Sequence, residues 1–175
     1  MLLKQQGVEF ETGLTVEEIA KIEDVYKISF PRSLKKFLMT ALPISKGFYK
    51  WRNFEQDNVV FIKKIISIPT EEIDELAEEV YWCDDWGEEP ESEKDIASIV
   101  RERLKKAPKL LPIYGHRYIP MCSEDNPPIL SVQGTDIIYY GESLEDYLKV
   151  EFGGKEQEQI EFSSINPIPF WSDIM

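Results

Sequence analysis

Apolar residues recur at helical spacing through the first hundred residues of the chain and then change to short runs and alternation. Thr15-Val16-Glu17-Glu18 has the capping-box pattern, in which a hydroxyl and a carboxylate satisfy each other's backbone N–H groups. Ile19, Ile22 and Tyr26 follow on one face, which predicts a helix over residues 16–28. Pro31 suits the first turn of a second helix, with Leu34, Phe37, Leu38 and Ala41 as its buried stripe and residues 43–47 as its break. GFYKWRNF, residues 47–54, is aromatic without period and reads as a packing corner over the core. In residues 58–67, Val59, Ile62, Ile65 and Ile66 fit either a helix or a β-branched strand. Pro69 and Thr70 open a further helix whose Ile73, Leu76, Ala77 and Val80 share a face. After Trp82 the chain reads as loop. Residues 94–106 predict another amphipathic helix, with Ile96, Ile99, Val100 and Leu104 inward and basic residues at the end where the helix dipole favours them.

Beyond it, LLPIYGHRYIPM, PPILSVQGTDIIYYG and QIEFSSI are short apolar or alternating runs between turn residues, the signature of strands. Ser143-Leu144-Glu145-Asp146 starts a helix that turns Leu144, Tyr147 and Leu148 to the core, and the tail NPIPFWSDIM is irregular but anchored by Phe170 and Trp171. No internal repeat or linker interrupts the chain. Helices first and strands after predict an α+β single domain over residues 1–175.

Composition narrows the function classes. The chain has 175 residues and a net charge of −13. Twelve acids and no Lys or Arg fall within residues 71–93, while the remaining 21 acids stand against 20 bases. The excess charge is therefore one local feature. Direct nucleic-acid binding is disfavoured, since phosphates need a basic face, and a basic protein is the natural complement. Two cysteines in unlike contexts, no signal-like N-terminus and no long apolar run lead to the expectation of a cytoplasmic protein outside the membrane.

Candidate chemistry is sparse. His116 is the only histidine, so any serine or cysteine nucleophile would have to use it as base. There is no G-x-S-x-G elbow, and the expected role of His116 and Arg117 is a strand-end motif with local hydrogen bonds. One His and two Cys cannot supply a four-ligand zinc site. Asp84, Asp85, Glu88 and Glu89 lack the spacing of an EF-hand loop. Phosphate-binding glycine motifs are missing, and no lysine follows an acid by two residues. No cofactor is expected. One constellation remains: Tyr81, Trp82 and Trp86 interleaved with Asp84, Asp85, Glu88 and Glu89. Aromatics anchor interfaces and surrounding charge steers the encounter; the opposing reading has both tryptophans in the core and the acids as a solvated surface.

LPIYGHRYIP, NPPILSVQGTDIIYYG and LEDYLKVEF together resemble the SUKH superfamily, the group of domains also described as cell-wall-assembly-regulator-like or Syd-like. The proline followed by SLKKFL and the segment WCDDWG are similar to the family's pattern as well. The resemblance covers about residues 14–152 and leaves residues 153–175 as a C-terminal extension packed on the domain. It departs at ALPISKGFYKW, where many members carry an Asn-Gly-Gly turn and this chain has only Gly47. The resemblance implies N-terminal helices packed on a mainly antiparallel sheet formed largely by the C-terminal half, no enzymatic activity, and a bacterial immunity protein that neutralises a cognate toxin, commonly a nuclease. It also admits an intracellular regulator or scaffold. On the immunity reading the acidic aromatic stretch is the contact surface, with His116 and Arg117 near it.

Overall fold

The computed structural model describes residues 2–175. A helical turn, α1 (Leu2–Gln5), leads into β1 (Phe10–Thr12). At the start of α2 (Val16–Tyr26) the capping box forms as the sequence predicts: Glu18 N–H donates to Thr15 Oγ1 at 3.2 Å, and Thr15 N–H donates to Glu18 Oε2 at 2.8 Å. α3 (Arg32–Thr40) starts after Pro31 and passes directly into β2 (Ala41–Pro43), which pairs antiparallel with β1. Ala41 is thus not on the helix stripe; its extended backbone opens a strand too short to show alternation.

α4 (Gln56–Glu75) corrects the expectation of a helix beginning at Pro69, because one helix of 20 residues runs through that proline. Pro69 lacks the N–H for a bond to the preceding turn. Hydroxyls brace the helix on both sides: Ser67 Oγ donates to Lys64 O at 2.9 Å and Thr70 Oγ1 to Ser67 O at 2.8 Å. An ion pair from Lys64 to Glu71 spans the proline. The helix ends at Glu75, so Leu76, Ala77 and Val80 lie in the turns that follow, with Ala77 and Val80 still buried. After a single 3-10 turn at Asp84–Trp86 comes α5 (Glu93–Leu104).

Four strands then follow, β3 (Leu110–Tyr114), β4 (Arg117–Pro120), β5 (Ile129–Gln133) and β6 (Asp136–Gly141), in an antiparallel sheet of that order. Both hairpin turns, Gly115-His116 and Gly134-Thr135, place glycine first with φ near +50 to +60°, the requirement of a tight two-residue hairpin turn. α6 (Leu144–Glu151) begins at Ser143, whose Oγ accepts from Asp146 N–H at 3.2 Å. Residues 159–165 do not form the strand their alternation suggests. They run from the end of one 3-10 turn, Gln157–Gln159, through a second, Phe162–Ser164, with Glu161 N–H donating to Glu142 Oε1 at 2.7 Å and Ser164 Oγ donating to Glu161 O at 2.8 Å.

The sheet is buried on both faces, which is why its strands read as unbroken apolar runs. Leu111, Ile113, Ile119 and Ile129 point to one face, against Ile22 of α2, Leu34 of α3 and Tyr147 of α6. Leu110, Tyr118, Leu130, Val132 and Ile137 point to the other, against Ile73 of α4, Val100 of α5 and the tail residues Ile168, Phe170, Trp171 and Ile174. The aromatic corner packs as expected: Trp51 is buried with the rings of Tyr26 and Phe30 edge-on to it, at 5.5 and 5.1 Å. The fold is α+β, with helices on both sides of a C-terminal antiparallel sheet.

Candidate functional site

The acidic stretch spans the end of α4, the loop after it and the start of α5. Three of its carboxylates serve the fold. Glu71 pairs with Lys64, Asp74 takes Arg101 Nε at 3.0 Å, and Glu72 Oε2 accepts from Gly134 N–H at 2.9 Å, which docks α4 on the β5–β6 turn. Glu75, Glu78, Glu79, Asp84, Asp85, Glu88, Glu89, Glu91 and Glu93 are exposed and make no ion pair among the described residues. Glu75 lies in the last turn of α4, where the helix dipole opposes a negative charge. The band is charge the fold does not use.

The aromatic residues interleaved with it divide. Tyr81 is 63% exposed, and Trp82 is only 8% exposed with its indole N–H donating to Gly87 O at 2.8 Å. Trp86 is half-buried: its ring stacks on Phe170 at 6.1 Å, meets Trp82 edge-on at 5.4 Å and lies under the Arg103 guanidinium at 4.6 Å. Its Nε1–H donates to Asp173 Oδ2 at 3.1 Å. Trp86 therefore pins the loop to the body and Trp82 ties the loop to itself, and Tyr81, Asp84, Asp85, Glu88 and Glu89 are what it presents to solvent.

His116 is the second residue of the β3–β4 turn. Its carbonyl accepts from Val132 N–H at 3.2 Å. No side-chain hydrogen bond to its imidazole occurs among the described residues, so the expected local tie runs through the backbone. Burial, then the Arg117 charge, hold its pKa below the ordinary histidine value, with Glu151 and Asp136 pulling the other way. At neutral pH it is a neutral imidazole.

Arg117 is the structural member of the pair. Its guanidinium lies 3.8 Å over the Tyr140 ring, donates to Ser131 Oγ at 2.9 Å, and sits 3.3 Å from Glu151 Oε2. That last contact is aligned too poorly for a hydrogen bond and leaves Arg117 Nε and Glu151 Oε2 buried without partners, as is the Tyr147 hydroxyl. Sequence reasoning missed Glu151, Ser131 and Tyr140 as partners of Arg117. The place of Glu151 one helical turn after the buried Tyr147 was the only available sign. It also missed Asp173 and Phe170 as the anchor of Trp86, for which the sequence carries no signal.

The predicted residues form two places rather than one. Glu72 on Gly134 brings the end of α4 to the same end of the sheet as the His116 turn. No described hydrogen bond, ion pair or aromatic contact joins His116 or Arg117 to residues 81–89. Among the described residues there is no group of three or more His, Cys, Asp or Glu placed to hold a metal ion, and no helix long and apolar enough to cross a membrane. The site so defined is an exposed acidic band on an α+β domain, braced by the buried Trp82 and the half-buried Trp86. No family model, curated protein or solved structure matches the chain.

Proposed function

We propose that this chain is a non-enzymatic binding protein of the immunity type, which neutralises a basic toxin, in the first instance a nuclease, through the acidic band. The observation that carries the reading is the set of nine exposed carboxylates between Glu75 and Glu93 with no internal partner. Charge of one sign concentrated on a firm support raises the encounter rate with an oppositely charged surface. A nuclease must hold phosphates and so presents such a surface. The resemblance of LPIYGHRYIP, GTDIIYYG and WCDDWG to the SUKH superfamily supports the same reading.

On this proposal Asp84, Asp85, Glu88 and Glu89 act as steering charges and Tyr81 as the exposed aromatic contact. Trp82 and Trp86 position the loop from within. His116 and Arg117 are structural.

The test is rescue. A toxin domain encoded beside this chain is expressed in bacteria with and without it. Restored growth together with a co-purifying complex supports the proposal. No rescue and no complex overturns it and leaves the regulator or scaffold alternative, for which partners are sought in native lysate. Given a complex, replacing Asp84, Asp85, Glu88 and Glu89 together by Ser should slow association about tenfold or more at low salt and flatten its salt dependence. An unchanged on-rate assigns binding to another surface.

A further inference from the structure

The outer edge of β6 is a free strand edge. β6 closes the sheet with six residues, DIIYYG, and only β5 pairs with it. No described residue outside β5 hydrogen-bonds to the backbone of residues 136–141. The opposite edge, β3, is guarded: Pro112 sits at its centre without an N–H, and Phe48 bridges to Tyr114. The two-stranded sheet is guarded by its three-residue strands, Glu11 and Pro43. β6 has Asp136 at its start and a bulge at Tyr140, but its middle, Ile137–Tyr139, carries no charge and no bulge. It has no Lys and no Pro, and although α6 packs on its end at Gly141, it leaves Ile138 41% exposed.

The geometry points to a second copy of this chain as the occupant: β6 pairs antiparallel with β6 of another molecule about a two-fold axis, extending the sheet to eight strands. The hairpin register carries this. Asp136 and Gln133 flank the two-residue turn and bond to each other, so the N–H and C=O groups of Ile137 and Tyr139 face outward. A two-fold axis at Ile138 sets Ile137 of each copy opposite Tyr139 of the other as bonded pairs. It sets Ile138 against Ile138 as a close non-bonded pair and Asp136 opposite Tyr140, with no like charges facing. Shifting the axis to Tyr139 would oppose Asp136 to Glu142. The antiparallel arrangement also sends the two Gly134 turns, where the acidic ends of α4 dock, to opposite ends of the joint sheet. The net charge of −13 still opposes association, so salt should strengthen the dimer.

Sedimentation over about 1 µM to 1 mM protein, at low and high salt, should show a monomer–dimer equilibrium that tightens with salt. Ile138→Lys, a charge placed as natural edge strands place it, should leave the monomer folded by circular dichroism and abolish the dimer. Ile138→Cys, with Cys83→Ser and Cys122→Ser, should form an intermolecular disulfide on oxidation, and Tyr140→Cys in the same background should not, because only residue 138 faces itself at a bridging distance. A wild-type chain that stays monomeric throughout overturns the proposal and leaves the edge to a foreign strand. A dimer that survives Ile138→Lys, or a disulfide at 140 rather than 138, overturns it equally.

Discussion

At the scale of single residues, the His116-Arg117 pair invites a catalytic reading, and the surroundings assign it to the fold. His116 has a lowered pKa in the folded chain, so the unfolded chain binds the extra proton first as pH falls. Stability then declines as pH drops below the ordinary histidine value of 6.5, and it is retained above that value. His116→Gln should flatten the fall in stability that begins below pH 6.5 in the wild type, measured by urea denaturation at each pH. Identical profiles would show that the imidazole titrates alike in both states. Arg117 and Glu151 are 13% and 19% exposed, so removing one leaves the other charge without its partner in a largely dry place. Arg117→Met should cost about 3 kcal/mol, while Tyr147→Phe, which deletes a buried hydroxyl with no partner, should be neutral or stabilise by up to about 1 kcal/mol. A loss on Tyr147→Phe would reveal a hydrogen bond, direct or through water, that the hydroxyl makes in solution.

Between residues and the whole molecule stand the elements, and α4 and the acidic loop were legible to different degrees. The capping box of α2 and the Ser143 start of α6 could be read because each is complete within four residues. The length of α4 could not, since Pro69 is a stop signal by its own chemistry, and the packing of Ile62 and Ile73, both fully buried, carries the helix past it together with the Ser67 and Thr70 hydroxyl bonds and the Lys64–Glu71 pair. Glu75 near its negative end is electrostatically misplaced, so Glu75→Gln should raise stability by about 0.5 kcal/mol at low salt, an effect that fades at 1 M salt. The loop beyond is held by the tail, because Asp173 Oδ2 accepts from both Trp86 Nε1 and the N–H of Phe170. Asp173→Asn should therefore speed amide exchange across residues 81–92 with little change at the β5–β6 hairpin. Uniform exchange in that variant would detach the loop from the tail.

In the whole molecule, the sheet is the middle layer and each face has its own core, an arrangement only half visible in the sequence. The apolar runs LLPIY and ILSV announce strands buried on both sides, but which segment covers which face is a long-range fact that no local period records. The tail is the sharpest case. Phe170 and Trp171 could be recognised as anchors, yet nothing in NPIPFWSDIM says that it seals the face opposite α2, α3 and α6. Ile168, Phe170, Trp171 and Ile174 are each at most 4% exposed. Burying four such side chains is worth about 6–12 kcal/mol, an upper estimate because the unfolded chain already buries some surface. That is comparable with the whole stability of an ordinary domain, about 5–15 kcal/mol. The tail also holds Pro108 O through Trp171 Nε1 at 2.8 Å and Tyr139 through Ser172. A chain ending at Pro167 should therefore lose its near-ultraviolet dichroism and its cooperative melting while keeping part of its helical signal, since the face built from α2, α3 and α6 keeps its apolar contacts. A truncated chain that melts cooperatively within a few degrees of the full one would show that the second core closes without the tail. The band of acids, braced by that same core through Trp86, would then have to owe its shape to α5 alone.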